Sequence, residues 1–130
     1  MLFELSEEHK MIQKAARDFA REQLLPGVIE RDDNQIFPAE QIKKLGELGF
    51  LGMMVDPKYG GAGLDTLSYV LVMEELSKIE AAASVVVSVN NSLLCYGLEA
   101  YGTEEQKEKY LNPLASGQCI GAFCLSEPEA

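Results

Sequence analysis

The side chains in this sequence able to do chemistry are few and scattered. His9 is the only histidine, and it falls in the first turn of a predicted helix, where it reads as exposed. No serine or cysteine is spaced to use it as a general base. Glu74 and Glu75 are adjacent acids. Neighbouring helix positions point about 100° apart, so one of the two belongs to a solvated face rather than to an acid–base pair. Cys95, Cys119 and Cys124 are odd in number and sit among apolar residues. They read as buried free thiols, with neither a disulfide pattern nor metal-ligand spacing, and no metal is expected. Gly60, Gly61 and Gly63 suggest a phosphate cradle, but no strand precedes them and the dinucleotide-binding spacing is missing. A turn that packs Tyr59 is the better reading. Asn90-Asn91-Ser92 places three polar residues inside an apolar segment. They need hydrogen-bond partners, from neighbouring carbonyls or from a ligand, and bracing of a neighbouring loop is the plainer alternative. Composition and spacing alone therefore show no catalytic machine.

Five segments must position these residues. Ser6 is a helix N-cap followed by Glu7 and Glu8, and Met11, Ile12, Ala15, Ala16, Phe19, Ala20 and Leu24 make one apolar face until Pro26-Gly27 interrupts. A second helix opens at Pro38, carries Ile42, Leu45 and Leu48, and stops at Gly49. A third starts near Asp65 or Thr66 and runs through Leu76. From Ala81 to about Ala100, the β-branched "SVVVSV" would suit a strand. The segment's length and the alanines before it favour a buried helix. Thr103 and Gln106 have capping-box spacing for a fifth helix, with Pro113 late in it and Gly117 at its end. Then "CIGAFCL" turns strand-like and runs into "SEPEA". The reading is an all-α bundle over residues 1–117, with the first strand of a β domain over 118–130.

The chain has 130 residues, enough for one real core, and 47% of them are hydrophobic. Its net charge of −10 argues against nucleic acid and against an anionic membrane surface. No leader is legible in "MLFELSEEHK", and no run reaches the roughly 18 apolar residues of a membrane span.

The tail "GAFCLSEPEA" strongly resembles the flavin-binding segment of acyl-CoA dehydrogenases. Four further stretches match the N-terminal domain of that family in order: "LSEEHKMIQKAARDFAREQLLP", "LGFLGMMVDPKYGGAGLD", "YVLVMEELSKIEAAASVVVSVNNSL" and "YGTEEQKEKYLNPLASGQCIGAFCLSEP". "SVNNSL" is similar to the short-chain, butyryl-type branch. The resemblance implies FAD as cofactor, an acyl-CoA substrate oxidised across its α,β bond, an electron-transfer flavoprotein as acceptor, and a homotetramer. It places the flavin edge at Phe123, Cys124, Leu125 and Ser126, and the inner end of the acyl pocket at Leu94, Tyr96 or Leu98. The catalytic carboxylate is expected in a C-terminal bundle beyond this sequence, and Glu127 reads as a turn residue. The compartment implied is the bacterial cytoplasm, or the mitochondrial matrix in a eukaryote. An acyl-CoA oxidase and a non-catalytic helical interaction module are the alternatives.

Overall fold

The computed structural model describes residues 4–129. Met1–Phe3 and Ala130, the ends of the two expected domain ranges, lie outside the described residues. Helix α1, Glu7–Phe19, is capped by Ser6, whose hydroxyl accepts from the His9 amide. It continues as a π turn, Ala20–Leu24, before Pro26-Gly27. A short α2, Val28–Asp33, follows, then α3, Ala39–Glu47. A long loop with one 3-10 turn, Pro57–Tyr59, leads to α4, Thr66–Ser77, capped by Asp65. The next helix is continuous from Ala81 to Tyr101: α5, Ala81–Ser88, a π segment, Val89–Cys95, and α6, Tyr96–Tyr101. The last begins at α7, Glu104–Gln106, with the expected Thr103–Gln106 capping box. It widens to a π turn at Lys107–Leu111 and ends as α8, Asn112–Ala115. That wide turn lies immediately ahead of Pro113, whose ring supplies no N–H to the ladder.

The expected β-branched helix is thus a helix, and the reason is burial. Ala83, Val87, Asn90, Asn91 and Cys95 all face inward along it. By length and composition Ala81–Tyr101 could cross a membrane, yet its two asparagines are spent on the backbone of the long loop. Helix α4 packs against both α1 and α5. Their shared core joins Ala16, Phe19, Leu24, Ile42, Leu45, Leu51, Met53, Val72, Leu76 and Val87. A second cluster, Val55, Tyr59, Cys95, Leu111, Leu114 and Ala115, sits under α8.

Three readings need correction. His9 is largely covered: its Nδ1 lies 2.7 Å from Ser6 Oγ and its Nε2 lies 2.9 Å from Asp65 Oδ2, so it joins the caps of α1 and α4. Of the three cysteines only Cys95 is buried; Cys119 and Cys124 are exposed on the tail. Leu48, assigned to the apolar face of α3, is also exposed, as are Met11 and Ala15, assigned to that of α1. Beyond the last helix, residues 120–127 carry no ladder among the described residues. A strand needs a partner backbone, and no described residue pairs with this segment in a ladder.

Candidate functional site

The candidate site grows from the π segment Val89–Cys95. Asn90 and Asn91 are consecutive and both fully buried, so each amide must find partners inside the protein. Asn91 Oδ1 accepts from the Met53 amide at 2.8 Å, and its Nδ2 donates to Phe50 O at 2.8 Å and Val87 O at 2.9 Å. Asn90 Nδ2 donates to Leu51 O at 2.7 Å and Leu114 O at 3.1 Å, while its Oδ1 accepts from the Gly121 amide at 3.0 Å. Ser92 donates back to Ser88 O. The two asparagines therefore brace the loop at residues 50–53, as the plainer reading expects, while Ser92 serves its own helix. One arm of the brace also reaches the tail.

The glycine loop is built for close approach. A Cβ on Gly61 would lie 2.1 Å from Val55 O, and Gly60 has φ +82°. Tyr59 is packed beneath it; its hydroxyl donates to Glu104 Oε2 at 2.6 Å, and Lys58 Nζ donates to the same oxygen at 2.9 Å. Those bonds, with the tyrosine first, hold the Glu104 carboxyl at about 2. Glu99 Oε1 accepts from the Asp56 amide and closes the far side of the loop. The amides of Gly60, Gly61, Ala62 and Gly63 are spent on Pro57 O, Asp56 O, Gly52 O and Val55 O, and the arrangement is a structural clamp.

The two adjacent acids separate as their angle requires. Glu74 is exposed, whereas Glu75 is buried and bonded to Arg17 through Nε at 3.1 Å and Nη2 at 2.9 Å. Arg17 first, then Lys78, bring the Glu75 carboxyl down to about 2 against the opposing effect of burial. Arg31 and Glu80 form a second pair, 2.7 Å apart and covered on both sides. Burial pushes the Cys95 thiol up to about 12, which leaves it an unreactive core side chain. No group of three or more potential metal ligands occurs among the described residues.

The residues assigned to a flavin edge lie together on the exposed tail, with Phe123 at 55% and Leu125 at 75% exposure. Among the described residues, the amides of Phe123, Cys124, Leu125 and Ser126 meet no acceptor. The three residues assigned to an acyl pocket divide. Leu94 and Leu98, one turn apart, are half-buried against the cluster under α8, and Tyr96 is 59% exposed on another side of the helix. Leu94 also meets the start of the tail, since a Cβ on Gly121 would lie 2.4 Å from its Cγ. Neither the Asn90–Gly121 bond nor the Gly121–Leu94 contact is read from the sequence above. A glycine inside an apolar, strand-like run is the one signal that could have found them.

Comparison with known proteins agrees with this geometry. The family model described as "Acyl-CoA dehydrogenase, N-terminal domain" matches residues 6–118. The chain is 43% identical over 130 residues to the short-chain specific acyl-CoA dehydrogenase of Clostridium acetobutylicum, covering 100% of this chain and 34% of that protein. It superposes on butyryl-CoA dehydrogenase from Megasphaera elsdenii with a TM-score of 0.93 at 42% identity, over 100% of this chain and 35% of the other. A chain solved in work on the electron transferring flavoprotein of Acidaminococcus fermentans gives a TM-score of 0.95 at 47% identity, over 100% and 34% of the two chains. The chain thus spans about a third of the length of the relatives it matches. A matching family model over most of the residues, carried on the same helical frame, places this chain in the acyl-CoA dehydrogenase family.

Proposed function

We propose that this chain is the N-terminal part of a FAD-dependent dehydrogenase that oxidises the α,β bond of a short-chain acyl-CoA. On this reading the helical domain covers residues 1–117, and residues 118–130 open a β domain. The observation that carries the proposal is the state of the tail. Four consecutive amides, Phe123 to Ser126, stand without acceptors among the described residues, beside the uncovered side chains of Phe123 and Leu125. A flat, partly apolar ring system with acceptor atoms along one edge fits that chemistry, and so does an isoalloxazine. When bound, FAD supplies the hydride acceptor, and the protein contributes orientation and hydrogen bonds. Here Leu125 and Ser126 offer backbone donors, the Ser126 hydroxyl adds one more, and Phe123 supplies apolar surface. Leu94 and Leu98 stand at the inner end of the acyl pocket and shorten it; Tyr96 is turned elsewhere. The proton-abstracting carboxylate lies outside these residues. Electrons leave to an electron-transfer flavoprotein, in keeping with the similarity to the Acidaminococcus fermentans chain, and the whole enzyme is a homotetramer.

The test is an anaerobic titration of the full-length protein with butyryl-CoA, followed by flavin absorbance. Stoichiometric bleaching supports the reading. A full-length protein that holds no flavin, or holds flavin that no acyl-CoA bleaches, overturns it.

A further inference from the structure

We propose that Asn90 is the positioning residue for the tail: it sets the register with which residues 123–126 are presented. This rests on the reading of those residues as the flavin edge. Asn90 is wholly buried, and its Nδ2 donates to two carbonyls from separate parts of the chain, Leu51 O and Leu114 O. Those two bonds orient the amide, because a flipped side chain would set its oxygen against both carbonyls. The oxygen that remains is thereby aimed at the Gly121 amide, 3.0 Å away. The second constraint is steric. A Cβ at position 121 would lie 2.4 Å from Leu94 Cγ and 3.2 Å from Leu114 Cδ2, so only glycine fits there. A slip of one residue would bring Ile120 or Ala122 into that contact. It would also turn every later side chain of an extended segment to the opposite face. No backbone bond holds the tail from Ala122 to Ser126, so Gly121 is its last anchor among the described residues.

Asn91 is the matched control. It is buried like Asn90 and makes three bonds of its own, but all of them go to the loop at residues 50–53 and to its own helix. Asn90→Ala and Asn91→Ala in the full-length holoenzyme should both lower Tm. Only Asn90→Ala should change the flavin: at least a tenfold change in the ratio of its affinities for oxidised and reduced cofactor. That change is equivalent to about 30 mV in a two-electron potential. Gly121→Ala perturbs the same contact from the other side and should reproduce the flavin effect, which covers the case where Asn90→Ala does not fold. Equal flavin potentials in all three variants and the parent, or the same shift in the Asn91 variant, would overturn the inference. A parent enzyme without flavin would instead overturn the functional reading on which it rests.

Discussion

Arg17 on α1 and Glu75 on α4 join the two helices through a paired contact, Nε to Oε2 at 3.1 Å and Nη2 to Oε1 at 2.9 Å. The carboxylate is buried while the guanidinium is partly open to solvent, and Lys78 adds a third bond at 3.2 Å. The pair fixes how α1 lies on α4, at the base of the frame that carries the candidate site.

Removing the guanidinium leaves a buried carboxylate with Lys78 alone. Arg17→Met should therefore cost about 2 kcal/mol at pH 7, the range of a hydrogen bond to a charged group. The Glu75 carboxyl is depressed to about 2 in the folded state from an ordinary 4.5, so its stabilisation is present above about 4.5 and is lost as pH falls toward 2. Urea unfolding should show the difference between parent and variant shrinking across that window. A difference that stays constant from pH 7 to pH 2.5 would assign the effect to packing of the arginine stem.

The helix starts separate two roles of Asp65, which caps α4 at the Ser68 amide and also meets His9. Asparagine caps as well as aspartate. Asp65→Asn should keep nearly all the stability, and Asp65→Ala should lose about 1 kcal/mol. Equal losses in both variants, measured by denaturant unfolding, would make the His9 contact the dominant one.

Two glycines give opposite predictions. Gly61→Ala forces a Cβ against Val55 O and should cost about 1–3 kcal/mol, as overpacking does. Gly97 lies in α6 with nothing within 4 Å of a built Cβ, so Gly97→Ala should gain about 0.5–1 kcal/mol. Thermal unfolding of the two variants checks both signs; a stabilised Gly61→Ala would contradict the close approach seen in the loop.

The acyl-pocket assignment predicts a change of chain-length preference in the full-length enzyme. Leu94→Ala or Leu98→Ala should favour longer acyl-CoAs by up to ~0.8 kcal/mol per methylene accommodated, and Tyr96→Ala should not. Relative kcat/KM over a series of acyl-CoAs decides it. An unchanged profile in both leucine variants would place the pocket floor elsewhere.

How much of this was legible in the sequence follows from the range of each interaction. The caps at Ser6, Asp65 and Thr103 are local, and local spacing revealed them. Helix α2 was not legible because it buries none of its residues and leaves no periodic trace. The π segments are invisible to side-chain spacing, since they are changes of backbone register. Asn90 and Asn91 announced that they needed partners. Which partners they found depends on a loop 39 residues away for Asn90 and 38 to 41 away for Asn91. The pairs Arg17–Glu75 and Arg31–Glu80 reach further still, 58 and 49 residues. The strand reading of the tail rests on its apolar run, but a strand is a relation between two backbones, and apolar sequence supplies one of them.

The most direct test of the central claim, that residues 123–126 form the flavin edge, is Ser126→Ala in the full-length enzyme. Flavin content, midpoint potential and Tm should be measured beside the parent. The substitution removes one hydroxyl from an exposed residue and takes no buried volume, so Tm should hold. Flavin retention or potential should change by the worth of one hydrogen bond, about 0.5–1.5 kcal/mol. If neither moves while Tm falls, Ser126 is a turn residue and the flavin edge is not here.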